Sequence, residues 1–308
     1  MRIPRNIRDN FRFLIAEVES QVSHLRDFFA TPSISLGRRI LDRSGYAYNL
    51  KMRIHDSCLN KALGAKGIDA SALSLRGMES IATDLERITE LCRDCVHQMK
   101  YLQCEDCLQH GAYTPMLEQV IEGVGMIENA LQQSDTRQAL KIGRVEQKLD
   151  KAYEKLRKRY TRQLKRTDHT EDLISALFVA HSVEQMGDAL LNVSEAIVSI
   201  NLGQPVNIDR YHSMKASVEH LGADSDLSNL VIRPIAETRS GSAISGISAA
   251  DQEEVYVAIY KDGKKRKLKE EREGVESWHE IFPGLAPRIL SYKKRGQSAA
   301  LLIEHLAG

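Results

Sequence analysis

The chain has 308 residues, and its 43 Lys and Arg against 42 Asp and Glu give no reason to expect nucleic acid or an acidic membrane surface as partner. A charged fraction of 28% beside a hydrophobic fraction of 42% is that of a soluble protein with a core, and the length allows two domains or three small ones. The amino terminus lacks the apolar run of a secretory signal, no stretch is apolar enough to span a membrane, and an odd count of five cysteines points to a reducing cytoplasm.

Residues 5–30 carry Phe11, Leu14, Ile15, Val18, Val22, Leu25 and Phe29 at the steps of one helical face, and Thr31-Pro32 stops the run. Residues 34–62 predict a second, less regular helix with Gly45 inside it, followed by a loop over 64–74. A third helix is expected over 74–108, with Leu75, Met78, Ile81, Leu85, Ile88, Cys92, Cys95, Met99 and Leu102 on its apolar side and Gly111 and Pro115 as punctuation. Residues 115–133 and 137–166 continue the pattern, divided by Ser134-Asp135 as turn and cap. A long helix then follows on Leu173, Leu177, Ala180, Val183, Met186, Leu190, Val193, Ile197 and Ile200, and Gly203-Gln204-Pro205 ends it.

The pattern repeats. A shift of 98 residues puts Gly45 on Gly143, Leu75 on Leu173, Ile81 on Val179, Leu85 on Val183, Glu86 on Glu184, Ile88 on Met186 and Glu90 on Asp188. Two three-helix bundles in tandem are expected, over 5–110 and 111–205, each too small to be strongly stable alone. Beyond Pro205 the helical period weakens: 207–221 reads as a seventh helix and 223–230 as a linker, so 206–229 joins the bundles to a different unit. In 230–308 the composition turns α+β, with strand patterns near 254–260, 288–292 and 299–306, a turn signal at Asp262-Gly263 and an amphipathic helix over 265–280. The fold class is therefore mainly α, a pair of three-helix bundles followed by a small α+β unit.

Acidic pairs carry the chemistry. Glu184 and Asp188 lie one turn apart and interrupt an otherwise apolar row, and Glu146 and Asp150 have the same spacing on the preceding helix. Two unit charges about 5 Å apart repel by roughly 3 kcal/mol at an effective dielectric of 20. If the two pairs face each other, the site must splay, hold protons or take a cation, and a cation is the preferred reading. All-oxygen ligation favours Mg²⁺, Mn²⁺, Ca²⁺ or iron, and His181 offers a nitrogen nearby. For any single pair the bland alternative is a solvated helix face.

The run IATDLERITE (81–90), and more weakly AHSVEQMGDA (180–189), resembles the signature of the PhoU family of phosphate-signalling proteins, over about residues 5–205. The resemblance implies E-x-x-x-D pairs on adjacent helices holding a multinuclear iron or zinc cluster. Glu146, Asp150, Glu184 and Asp188 match a complete site; Glu86 and Glu90 match half of another, with Tyr48 and Met52 where carboxylates should be and Arg53 near enough to pair with Glu86 or Glu90 instead. It further implies a cytoplasmic regulatory protein that docks a sensor kinase or phosphate transporter, and leaves a homodimer open.

Two further motifs have blander readings. Cys92-x-x-Cys95 and Cys104-x-x-Cys107 look like a zinc knuckle, but Cys92 and Cys95 align with Leu190 and Val193, which are core positions. The basic run over 155–166 reads as a solvated helix face at a helix C-terminus, with docking to an acidic partner as the alternative.

Residues 230–308 resemble the N-terminal lobe of aminoglycoside-phosphotransferase-like or choline-kinase-like small-molecule kinases, by order of parts. The resemblance makes RSGSAISG (239–246), with Gly241 and Gly246, a loop over phosphates. Lys261 becomes the phosphate-contacting lysine, Glu271 the glutamate that holds it, and the segment around Glu304 the adenine-binding hinge. No H-x-D-x-x-x-x-N catalytic loop follows before Gly308, so the lobe is expected to be a fragment or half of a split enzyme, without phosphotransferase activity alone. MgATP and a small-molecule substrate belong only to a complete parent. The two function readings are thus a metal-binding PhoU-like regulator, or the amino-terminal portion of an ATP-dependent phosphotransferase regulated by its helical part.

Overall fold

The apolar steps along the sequence become buried helix faces in a computed structural model, which describes residues 5–43, 45–64, 70–104, 107–165, 168–203, 205–218, 230–237, 242–249, 256–282, 286–295 and 298–306. Two units divide the chain, Met1–Asn201 and Leu202–Gly308.

The first unit is helical: α1 (Arg5–Ala30), α2 (Ile34–Leu41), α3 (Tyr46–Gly64), α4 (Ala70–Met99), α5 (His110–Gly125), α6 (Ile127–Gln132), α7 (Thr136–Gln163) and α8 (Thr170–Leu202). The helix expected over 34–62 is two, because Gly45 takes φ +87°, a left-handed turn that no right-handed helix contains. The third helix ends at Met99, not near 108. Pro115 does not end a helix but sits near the start of α5, where its missing N–H forfeits a single bond. Asp135 caps α7 as expected, its carboxylate accepting from the amides of Arg137 and Gln138. Gly203, at φ +66°, closes α8.

α1, α3 and α4 pack on one another as the first bundle. In the second, α8 meets α5 where the Tyr113 hydroxyl donates to the Ala176 carbonyl at 3.2 Å, and meets α7 where the Ser194 hydroxyl donates to the Ala139 carbonyl at 2.6 Å. The bundles are fused along two seams. In one, α1 lies on α5 and α6, with Phe29 stacked on Tyr113 of α5 at 4.6 Å and Arg12 paired with Glu128 of α6 at 2.9 Å. In the other, α4 crosses α8, with Asn192 donating to Asp84 at 3.1 Å and Arg87 to Gln185 at 3.2 Å. Arg87 and Gln185 are 98 residues apart, so they are the same position of the repeat meeting itself across an internal pseudo-two-fold axis. That shared burial makes the two bundles one unit.

The second unit holds α9 (Ile208–Val218), β1 (Leu230–Glu237), β2 (Ala243–Ala249), β3 (Tyr256–Lys264), α10 (Lys265–Ile281), β4 (Ile289–Arg295) and β5 (Ser298–Glu304). All pairings are antiparallel, in the order β1-β2-β3-β5-β4. Successive strand residues point to opposite faces, so the unbroken burial of Ala299, Ala300, Leu301 and Leu302 means that both faces of β5 are covered. Lys261 reaches Glu271 of α10 and its neighbour Asp262 reaches Arg210 of α9, which sets the two helices on opposite faces. Asp262-Gly263 is therefore no turn. β3 runs straight through it, and Gly263 is required because the Ser242 side chain stands where a Cβ would lie. Among the described residues, no helix is long and apolar enough to cross a membrane.

Candidate functional site

The helices α7 and α8 come close together at Gly187, where an added Cβ would lie 3.0 Å from the Cα of Glu146. This approach brings the Glu146 and Asp150 carboxylates within electrostatic reach of Glu184 and Asp188. Burial, a hydrogen bond with Asp150 and the charges of Asp150, Asp188 and Glu184 push the Glu146 carboxyl up to about 7. Burial and Asp188 raise Glu184, against the pull of His181, whose Nδ1 lies 3.0 Å from a Glu184 oxygen. Burial and Asp150 raise Asp188 as well. The His181 ring also lies 5.8 Å from that of Tyr153, so it serves Glu184 from the exposed rim.

Whether this quartet suits a metal has two parts. Its donors are hard oxygens whose mutual repulsion a bound cation relieves, and that chemistry fits. Yet no group of three or more His, Cys, Asp or Glu side chains among the described residues is arranged to hold a metal ion. The quartet converges without forming a preset cage.

The equivalent groove between α3 and α4 is built otherwise. Lys51, from α3, places its ammonium 3.1 Å from the buried Glu86 and 4.6 Å from the centre of the Tyr48 ring. Glu90 lies 3.7 Å from Arg87 and 3.8 Å from Arg93. Glu86 and Glu90, expected as half of a metal site, thus already have cations from the chain, and the residues there do not fit a metal. The partner anticipated for them, Arg53, is replaced in that role by Lys51. Sequence patterning passed over Lys51 because a lysine two positions before the anticipated partner Arg53 reads as surface; only the register of α3 on α4 turns it inward.

Among the described residues, the cysteines belong to no group placed to hold a metal ion. Cys92 and Cys95 are fully buried, and the Cys95 thiol donates to the Val179 carbonyl at 3.9 Å in the α4–α8 seam. Burial pushes the Cys92 and Cys95 thiols up and the Cys58 thiol to about 11, so all three pack as small hydrophobes. Cys104 lies in the irregular segment beyond α4.

In the second unit, Lys261 and Glu271 are brought together at 2.5 Å. Gly246 belongs inside β2, opposite Ile259, and is a glycine because the Tyr256 ring fills the space of its Cβ; it does not cover phosphates from a loop. Gly241 lies outside the described residues. Glu304 closes β5, its N–H donating to the Arg288 carbonyl and its carboxylate accepting from the Arg288 amide at 3.3 Å.

Residues 114–197 match the family model described as PhoU domain. The chain is 24% identical over 230 residues to the phosphate-specific transport system accessory protein PhoU of Serratia marcescens, covering 71% of this chain and 86% of the relative. It is 26% identical over 199 residues to the protein of the same description from Edwardsiella tarda, covering 61% and 78%. Among solved structures, the phosphate transport system regulatory protein PhoU from Streptococcus pneumoniae superposes with a TM-score of 0.60 at 17% identity, over 66% of this chain and 96% of that one. PhoU from Pseudomonas aeruginosa gives 0.58 at 16%, over 64% and 96%. The match to the PhoU domain model thus falls on the second bundle, and the helical fold is shared with the PhoU structures.

Proposed function

We propose that this chain is a PhoU-like regulator of phosphate transport or signalling, working in the cytoplasm by docking a transporter or sensor kinase. The observation that carries the reading is the duplicated bundle folded about its own pseudo-two-fold axis, a fold shared with 96% of the pneumococcal regulatory protein. The test is phosphate uptake in the native cell. Deleting the gene should uncouple uptake from external phosphate, and uptake that stays regulated would refute the reading.

The second groove supplies its ion site in this reading. Glu146, Asp150, Glu184 and Asp188 would hold a divalent or iron-type cation, which neutralises charge that the protein leaves uncompensated. Elemental analysis of purified protein should show metal lost in Glu184→Ala with Asp188→Ala, and kept in Cys92→Ser with Cys95→Ser. The reverse pattern would assign the wrong ligands.

A second reading is favoured by the Lys261–Glu271 pair between β3 and α10. It makes the second unit the opening portion of an ATP-dependent small-molecule phosphotransferase, with the helical unit as regulator and MgATP bound only by a complete parent. Reading the gene downstream of codon 308 separates the two: an in-frame H-x-D-x-x-x-x-N supports the enzyme, and a stop codon leaves the regulator.

A further inference from the structure

α7 sorts its charges by side. Glu146 and Asp150 turn toward α8, while Lys148, Lys151, Lys155 and Arg159 line a groove of about 350 Å³ shared with α5. The four cations follow one another at three- and four-residue steps and so form a row, roughly 16 Å long at 1.5 Å per residue. Lys148 donates to Gln119 across the groove, whereas Lys151, Lys155 and Arg159 have no carboxylate partner among the described residues. Beneath the row the floor is apolar, with Met116 and Leu156.

The repeat provides an internal control. His55 of α3 lies against Thr83 of α4 just as Tyr153 lies against His181, so the 98-residue shift holds for this helix pair. At the α3 positions equivalent to Lys148 and Ala152 stand Leu50 and Ile54, 3% and 0% exposed. The shared fold accommodates two large buried side chains there, and α7 has an ammonium and a methyl group instead. Arg53 and Lys61 match Lys151 and Arg159, so cations alone do not distinguish the two faces; the opened floor does.

A row of cations, three of them without a carboxylate partner among the described residues, over an apolar floor is complementary to a ligand with both characters. A bare polyphosphate gains nothing from Met116 and Leu156, and a flat lipid surface does not enter a groove between two helices. An amphipathic helix does both, with a leucine each turn filling the floor and glutamates one turn apart meeting the row. We propose that the α5–α7 groove docks an acidic amphipathic helix of a protein partner, which deepens the regulator reading and rests on it.

The test is fluorescence anisotropy of the full chain with a labelled helical peptide of about five turns carrying leucine on one face and flanking glutamates. Binding should weaken about tenfold or more in Lys151→Glu with Lys155→Glu, and similarly when glutamine replaces the peptide's glutamates. Ala152→Leu, which fills the floor without changing charge, should also weaken it. Arg53→Glu with Lys61→Glu in the first bundle should leave it unchanged, and circular dichroism should show every variant as helical as the parent. The proposal is overturned if the peptide does not bind, if the first-bundle variant loses as much affinity, or if polyphosphate or phosphatidylglycerol vesicles bind more tightly. Those results leave the regulator reading intact, since that one stands on phosphate uptake in the gene deletion.

Discussion

The α3–α4 and α7–α8 grooves occupy equivalent places in one duplicated fold, yet they settle the same electrostatic problem in opposite ways. Each has a glutamate on its last helix, Glu86 or Glu184, drawn in by packing. In the first groove the facing helix supplies Lys51, a cation tethered to the chain. In the second it supplies Glu146 and Asp150, which add charge of the same sign. Backbone spacing follows suit. Gly187 lets α7 approach α8, while its equivalent in the first bundle is Thr89, buried and bonded through its hydroxyl to the Glu86 carbonyl. The shared helices fix where a carboxylate goes, and the facing helix determines whether the chain itself supplies a counter-charge.

The largest effect should come from untying the first groove. Lys51→Met leaves Glu86 buried beside a thioether, and losing one partner of a buried pair costs about 3 kcal/mol or more. Urea unfolding measures it, and Glu86→Leu added to Lys51→Met should recover most of the loss. A neutral Lys51→Met would mean that the first groove has no tethered cation of consequence. A smaller loss is expected from Gly187→Ala, whose Cβ meets helix backbone that cannot turn aside; overpacking of this kind costs about 1–3 kcal/mol. Thr89→Ala at the equivalent place removes one hydrogen bond, about 1 kcal/mol, and should not exceed it.

The helices were legible wherever one face alone is buried, as in α1, because the apolar period then matches the wheel. Repeat matching at 98 residues anticipated the Glu86–Glu184 correspondence without coordinates, since both sit in helices of like register. What the sequence hid depends on contacts between distant segments. Gly45 read as tolerated inside a helix, when its positive φ divides α2 from α3. Asp262-Gly263 carries turn chemistry, but Arg210 and Ser242, from elsewhere in the chain, claim both residues for β3. Gly246 looked like a phosphate loop because nothing local reveals the Tyr256 ring above it. Lys51 is the instructive case: its role depends on which turn of α3 meets Glu86, and composition is silent on that.

The smallest expected effect is also the most diagnostic of the second groove. Glu146 holds its proton up to about pH 7 in the fold, whereas an unfolded chain releases it near the ordinary value of 4.5. Between those values the folded state binds more protons, so this contribution is full below about pH 4.5 and is lost as pH rises through 7. Glu184 and Asp188 act in the same direction. Glu146→Gln should therefore flatten the fall in stability across that window and leave the metal-free variant more stable than the parent at pH 8. The gain should be a few tenths of a kcal/mol, because solvent screens a largely open carboxylate. Saturating Mn²⁺ should reverse the order, since the parent then gains a cation its quartet can share and the variant has lost one donor. Thermal unfolding at pH 5 and pH 8, with and without Mn²⁺, measures all of this. An order that Mn²⁺ does not change would mean that the carboxylates of α7 and α8 repel one another without recruiting anything to relieve them.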